Sequence, residues 1–128
     1  MTLMEAIGQA DALYFNTFSQ SEKVGWLSRL DGLIHTQILQ THEGEPAPFP
    51  GYGPDTDPDR LLLVPPPYDC MYISWLQAQM ELALRETEGY NAAIQTFNAE
   101  YSAYEKDYNR NHMPKNKGYF RFGGGNGR

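Results

Sequence analysis

The sequence predicts a mainly α fold: a small four-helix domain, with a long proline-rich loop or extended arm between helices two and three, and a flexible C-terminal tail. Three observations point there. Apolar residues recur at steps of three and four over four separate segments. Two of those segments open with the Ser/Thr and Glu pair of a capping box. Eight of the nine prolines fall between residues 42 and 67, where missing amide donors and a fixed φ exclude regular helix. A chain of 128 residues suits one domain with a modest core. Residues 1–113 read as that helical domain, the 42–67 segment included, and residues 114–128 as a basic, aromatic tail.

The first helix opens on Thr2-Leu3-Met4-Glu5, where the threonine hydroxyl satisfies an orphan amide and Glu5 reaches back to the cap. Leu3, Ile7, Ala10 and Tyr14 then follow at helical spacing. Phe15 to Phe18 breaks this helix at the turn-tolerant Asn16, and Ser19-Gln20-Ser21-Glu22 opens the second. Val24, Leu27, Leu30, Ile34 and Ile38 place one apolar stripe on a helix reaching about Thr41, widened by Trp26 and Leu33.

The stretch from His42 to Pro67 is far longer than an ordinary connection. Its one apolar part, Leu61 to Val64, reads as a short edge strand or extended arm. Pro67 suits the first turn of the third helix, where its missing amide costs nothing, and Asp69 sits near the positive helix end. Tyr72, Leu76, Met80 and Ala83, with Met71, Trp75 and Leu82 on a flank, describe a helix buried over much of its circumference. A break is expected near residues 84–89, at Gly89. Tyr90, Ile94, Phe97, Tyr101, Tyr104 and Tyr108 then alternate steps of four and three, the pattern of a helix-packing seam. Pro114 ends the fourth helix. Tyr119-Phe120-Arg121-Phe122 follows in a glycine-rich setting; it suits docking on a partner or folding back on its own domain.

Charge divides the chain. Residues 1–107 hold all 16 acids against five bases, a net of −11, while residues 108–128 hold five bases and no acid, a net of +5. Such a split marks either an interaction tail or a solvated end, and the acidic body argues against broad nucleic-acid binding. No apolar run is long enough for a membrane span, and the N-terminal stretch lacks the basic region and cleavage site of a signal peptide. Cys70 stands alone, so no intrachain disulfide forms, and no base lies near it in sequence to activate it.

Chemistry-bearing patterns are few. His35, His42 and His112 have no HExxH or HxH spacing and read as helix-end and surface residues rather than metal ligands. Asp55-Thr56-Asp57-Pro58-Asp59 begins like a calcium loop, but Arg60 and Pro66 replace the required glycine and glutamate. The terminal FGGGNGR lacks the strand-to-helix frame of a phosphate loop. With no nucleophile elbow and no evident carboxylate pair, the sequence reads as a binding or structural protein, not an enzyme, with no cofactor, no metal and no catalytic residue.

Several stretches in order (KVGWLSRLDG, THEGE, LLVPPPYD leading into MYISWLQAQ, and YNAAIQTFNAEYSAYEKDYNRNHMPK) resemble a group of small phage and prophage proteins. These look like the head–tail connector, or adaptor, proteins of long-tailed phages. The resemblance spans roughly residues 1–115 and includes no chemical motif. It implies a helical virion protein, assembled in the host cytoplasm, forming a homo-oligomeric ring, a dodecamer matching the portal. Such a ring sits between portal and neck or tail-completion protein and lets DNA pass through its channel without specific binding. On this reading Leu61, Leu62, Leu63, Val64 and Tyr68 are candidate subunit contacts. Tyr119, Phe120, Arg121 and Phe122 are candidate portal contacts. Two other readings stand beside it: a phage assembly factor absent from the particle, and a small acidic inhibitor that mimics DNA.

Overall fold

The computed structural model describes residues 1–42, 44 and 46–115. Among the described residues there are four helices, α1 (Leu3–Leu13), α2 (Gln20–Gln37), α3 (Met71–Ala83) and α4 (Thr87–Asn111), with short 3-10 turns at Leu39–Thr41 and Tyr68–Cys70. Among the described residues there is no β-strand, only isolated bridges pairing Thr2 with Leu61 and His42 with Pro114. No described helix is long and apolar enough to cross a membrane.

Both capping boxes form as the sequence predicts. A helix leaves its first four amides without internal partners, and in α1 each of these finds an acceptor. Leu3 N–H donates to the Arg60 carbonyl at 2.9 Å and Met4 N–H to the Pro58 carbonyl at 3.1 Å. Glu5 N–H donates to Thr2 Oγ1 at 3.1 Å, and the N-cap amide of Thr2 donates to Glu5 Oε1 at 2.8 Å. The proline-rich segment thus completes the cap of α1. At the far end, Asn16 closes the turn into α2, its amide donating to Asp11 and to the Tyr14 carbonyl while its oxygen accepts from Phe18 N–H.

The core is formed by Leu3, Ile7 and Ala10 of α1, by Leu27, Leu30, Ile34 and Ile38 from α2 and its end, and by Met71, Tyr72, Leu76 and Met80 of α3. Helix α4 packs along α3 through the predicted seam. Phe97 and Tyr104 are buried there, and Ile94, Tyr101 and Tyr108 pack partly buried against the core. Ala83, expected on the buried face of α3, is exposed, and Leu82 is exposed as well. Regular α2 ends at Gln37 rather than Thr41: Thr41 Oγ1 donates back to the Gln37 and Ile38 carbonyls, and the chain tightens into a 3-10 turn. Helix α3 likewise begins at Met71, after the Tyr68–Cys70 turn that Pro67 precedes.

The break between α3 and α4 is not made by Gly89, which lies inside α4. Arg85 makes it instead, with φ at 59°. Glu86 N–H donates to the Glu81 carbonyl at 2.9 Å and Arg85 N–H to the Leu82 carbonyl at 3.1 Å, the bond pair of a Schellman end with arginine in the left-handed position that glycine usually holds. At Gly89 a Cβ would meet only the flexible Glu81 side chain, which would have to swing aside. Replacing Arg85 with glycine removes the left-handed penalty, so R85G is expected to raise unfolding free energy by about 0.5–1 kcal/mol, read as a higher urea midpoint at unchanged slope.

Candidate interaction surface

Asp31 lies on α2 in register with the apolar stripe, four residues after Leu27, and is fully buried. Its carboxylate accepts from the Tyr52 hydroxyl at 2.5 Å, the Tyr72 hydroxyl at 2.6 Å and the Leu63 amide at 3.1 Å. Tyr72 in turn accepts from Val64 N–H at 2.9 Å. Tyr52 is held from its other side too: its amide donates to Ser28 Oγ at 3.0 Å and the Arg60 guanidinium sits 5.5 Å from its ring centroid. Gly51, at φ 84°, brings the backbone against Ser28, where a Cβ would stand 3.3 Å from the hydroxyl oxygen. Two loop segments distant in sequence are therefore bolted to α2 and α3 by one acid.

Burial pushes the Asp31 carboxyl above its ordinary range, against the opposing pull of the Tyr52, Tyr72 and Leu63 hydrogen bonds. Burial and the adjacent Asp31 charge also raise the hydroxyls of Tyr52 and Tyr72 far above the ordinary tyrosine range, so both remain donors. Neither Asp31 nor this network stands out from the sequence as a functional group. The one available signal is an acid at a core position of the stripe.

The network decides which arm residues face outward. Leu61 is 67% exposed, whereas Leu62 is 6% and Val64 0% exposed. Leu62 and Val64 are therefore part of the chain's own core and cannot meet a neighbour in this conformation, because their amides donate to the Met1 carbonyl and the Tyr72 hydroxyl while the Leu63 amide between them is held by Asp31. Leu61, the half-buried Leu63 and Tyr68 retain accessible surface. The candidate portal contacts Tyr119 to Phe122 lie outside the described residues.

Other exposed apolar residues are scattered: Phe15 between α1 and α2 is 97% exposed, and Leu82 and Leu84 flank the Arg85 turn. A shallow groove of about 210 Å³ between α2 and α4 is lined by Leu30, Leu33, Gln37, Trp75, Phe97 and Tyr101. The Tyr101 hydroxyl donates across it to Gln37 Oε1 at 3.1 Å, and the indole N–H of Trp75, one of the lining residues, donates to the Trp26 carbonyl at 2.8 Å.

Two histidines are not the surface residues the sequence suggests. His35 is buried with Nε2 2.8 Å from the Ala47 carbonyl, and buried His42 lies 2.6 Å from both the Ile38 carbonyl and Asn109 Oδ1. Both prolong the core register of α2 and are consumed by structural hydrogen bonds. His112 stacks on Tyr108 at 3.7 Å between ring centroids. Among the described residues no group of His, Cys, Asp or Glu is arranged to hold a metal ion. Partial desolvation, with the Glu100 carboxylate next, pushes the Cys70 thiol up to about 11, so it is protonated near neutrality and poorly suited to attack. No family model, curated protein or solved structure matches this chain.

Asp31→Ala strands two hydroxyls and an amide and is expected to cost about 3 kcal/mol, while Asp31→Asn, which keeps one acceptor, costs less. A raised folded-state pKa means the folded protein retains a proton the unfolded chain has released. Stability relative to D31N is therefore full below the reference value of 3.8 and falls as pH rises through the folded value. Urea titrations of both proteins across acidic pH test this; the opposite slope would mean that the three donors outweigh desolvation.

Proposed function

We propose that the chain is a virion structural protein, a head–tail connector whose copies form a ring between the portal and the neck or tail-completion protein. The ordered series of stretches resembling that group carries the reading. The geometry supports it by giving those stretches a shared purpose: KVGWLSRLDG contains Asp31, LLVPPPYD contains the arm that Asp31 holds, and MYISWLQAQ contains Tyr72. A rigidly anchored arm with an outward Leu61 is a suitable edge for a neighbouring copy, since little ordering entropy remains to be lost on contact. The acidic body suits a channel that DNA crosses without sticking. The long arm belongs to subunit contact and the basic tail to the portal.

Light scattering on the protein, alone and mixed with its portal, tests this reading. A ring-sized species in either condition is expected, and a monomer indifferent to portal would overturn it. Leu61→Asp is expected to abolish that species while leaving thermal unfolding within about 0.5 kcal/mol of wild type, because the side chain is exposed. Normal assembly of L61D would remove the arm from the interface. Mass spectrometry of purified particles distinguishes a connector from an assembly factor that does not remain in the virion.

A further inference from the structure

We propose that Phe15 of one copy seats in the groove between α2 and α4 of a second copy, a head-to-tail contact that uses two different surfaces of the chain. Phe15 is 97% exposed and Leu13 66%. Tyr14 between them is extended and packs against the core, which turns its two neighbours outward. The turn that presents them is tightly held. The Asn16 amide donates to Asp11 Oδ1 at 3.0 Å and to the Tyr14 carbonyl at 2.8 Å, and its oxygen accepts from Phe18 N–H at 3.2 Å. Lys23 Nζ donates to the same Asp11 oxygen at 2.8 Å, and Phe18 meets Trp26 edge to face at 5.3 Å between centroids. Backbone fixed in this way loses little freedom on contact, and aromatic side chains are enriched at the centres of interfaces.

The groove is the complementary half. Its volume of about 210 Å³ exceeds the roughly 150 Å³ of an apolar cavity that accepts benzene. Its walls pair Trp75 with Phe97 and Phe97 with Tyr101, tilted, at 5.1 and 5.7 Å between ring centroids, and a further ring extends that series edge to face or offset. Leu33, 42% exposed, closes the α2 side. Phe15 cannot fill the groove of its own chain. Gln20 to Leu33 spans on the order of 20 Å along α2, and the Asn16 bonds keep Phe15 beyond the start of that helix. One chain thus carries a knob and a hole that a second copy brings together. Because the two surfaces differ, the contact is heterologous, and it generates a ring when its rotation closes. One aromatic anchor buries about 150–250 Å², far below the area of a stable pair, so a single contact is weak and a closed ring multiplies it.

The contact deepens the ring reading and rests on it for its purpose, but the two are tested apart. Full-length Phe15→Ala, labelled with nitrogen-15, keeps the groove and lacks the knob; the side chain is exposed, so the fold is not at risk. Unlabelled Leu33→Asp keeps the knob and spoils the groove. Adding L33D to labelled F15A is expected to shift the Trp75 indole and the Gln37 and Tyr101 amides, saturating as more is added, while the α1 amides stay in place. Wild type as donor gives the same shifts and guards against misfolding of L33D. An unlabelled chain carrying both substitutions is expected to leave the groove resonances where they are. Groove shifts that this double variant reproduces would overturn the proposal, by assigning association to other residues. The absence of shifts with either donor would also overturn it, and would leave the groove to a different protein. A ring seen by light scattering without these shifts removes the contact and keeps the ring. Shifts without a ring keep the contact and remove the ring reading.

Discussion

The arrangement depends on one buried carboxylate. Asp31 accepts from Tyr52, Tyr72 and the Leu63 amide, and those donors come from the loop, from α3 and from the arm. A carboxylate has enough lone pairs for all three, and each donor would otherwise be a buried group without a partner. The dependence is mutual: the acid tolerates burial because of the donors, and they are buried around the acid. Such clusters contribute less to net stability than their geometry suggests, since desolvation opposes them. What this one determines is register. Shifting the arm by one residue would take the Leu63 amide from Asp31 and turn Leu61 and Leu63 inward in place of Leu62 and Val64.

That register divides the molecule's surface. With Leu62 and Val64 buried and their amides engaged, the arm shows only alternate residues, and the pairing of residues 58–62 with the start of α1 uses hydrogen-bonding groups that an exposed edge would offer to another chain. Any contact made through the arm would therefore rest on side chains such as Leu61, not on strand addition. Helix α2 mediates between both halves. One side, through Leu27, Asp31, Ile34 and Ile38, holds core and arm; on another, Gln37 meets Tyr101 of α4 and the Thr41 carbonyl accepts from Lys115.

Local features were legible in the sequence because their physics is local. A capping box needs four consecutive residues, and an apolar stripe needs two turns, so the helix starts and the seam of α4 follow from pattern alone. The turn at Arg85 was not legible: glycine is the cheaper left-handed residue, so Gly89 attracted the prediction, while the Schellman bonds from Glu86 and Arg85 require only that some residue accept the strain. Asp31, His35 and His42 share one overlooked signal. All three fall on the register of Leu27, Ile34 and Ile38, and a polar residue at a core position implies a specific buried partner. Which partner is a long-range matter, since Tyr52 and Tyr72 lie 21 and 41 residues from Asp31, beyond any periodicity.

The division of charge gains meaning from where the tail leaves the domain. Lys115 is tied to Thr41, at the carbonyl end of α2, where a cation is favoured. Residues 116–128 add Lys117, Arg121 and Arg128 and no acid, so the sequence that follows Lys115 is opposite in charge to the acidic body before it, and attraction between the two weakens as salt is added.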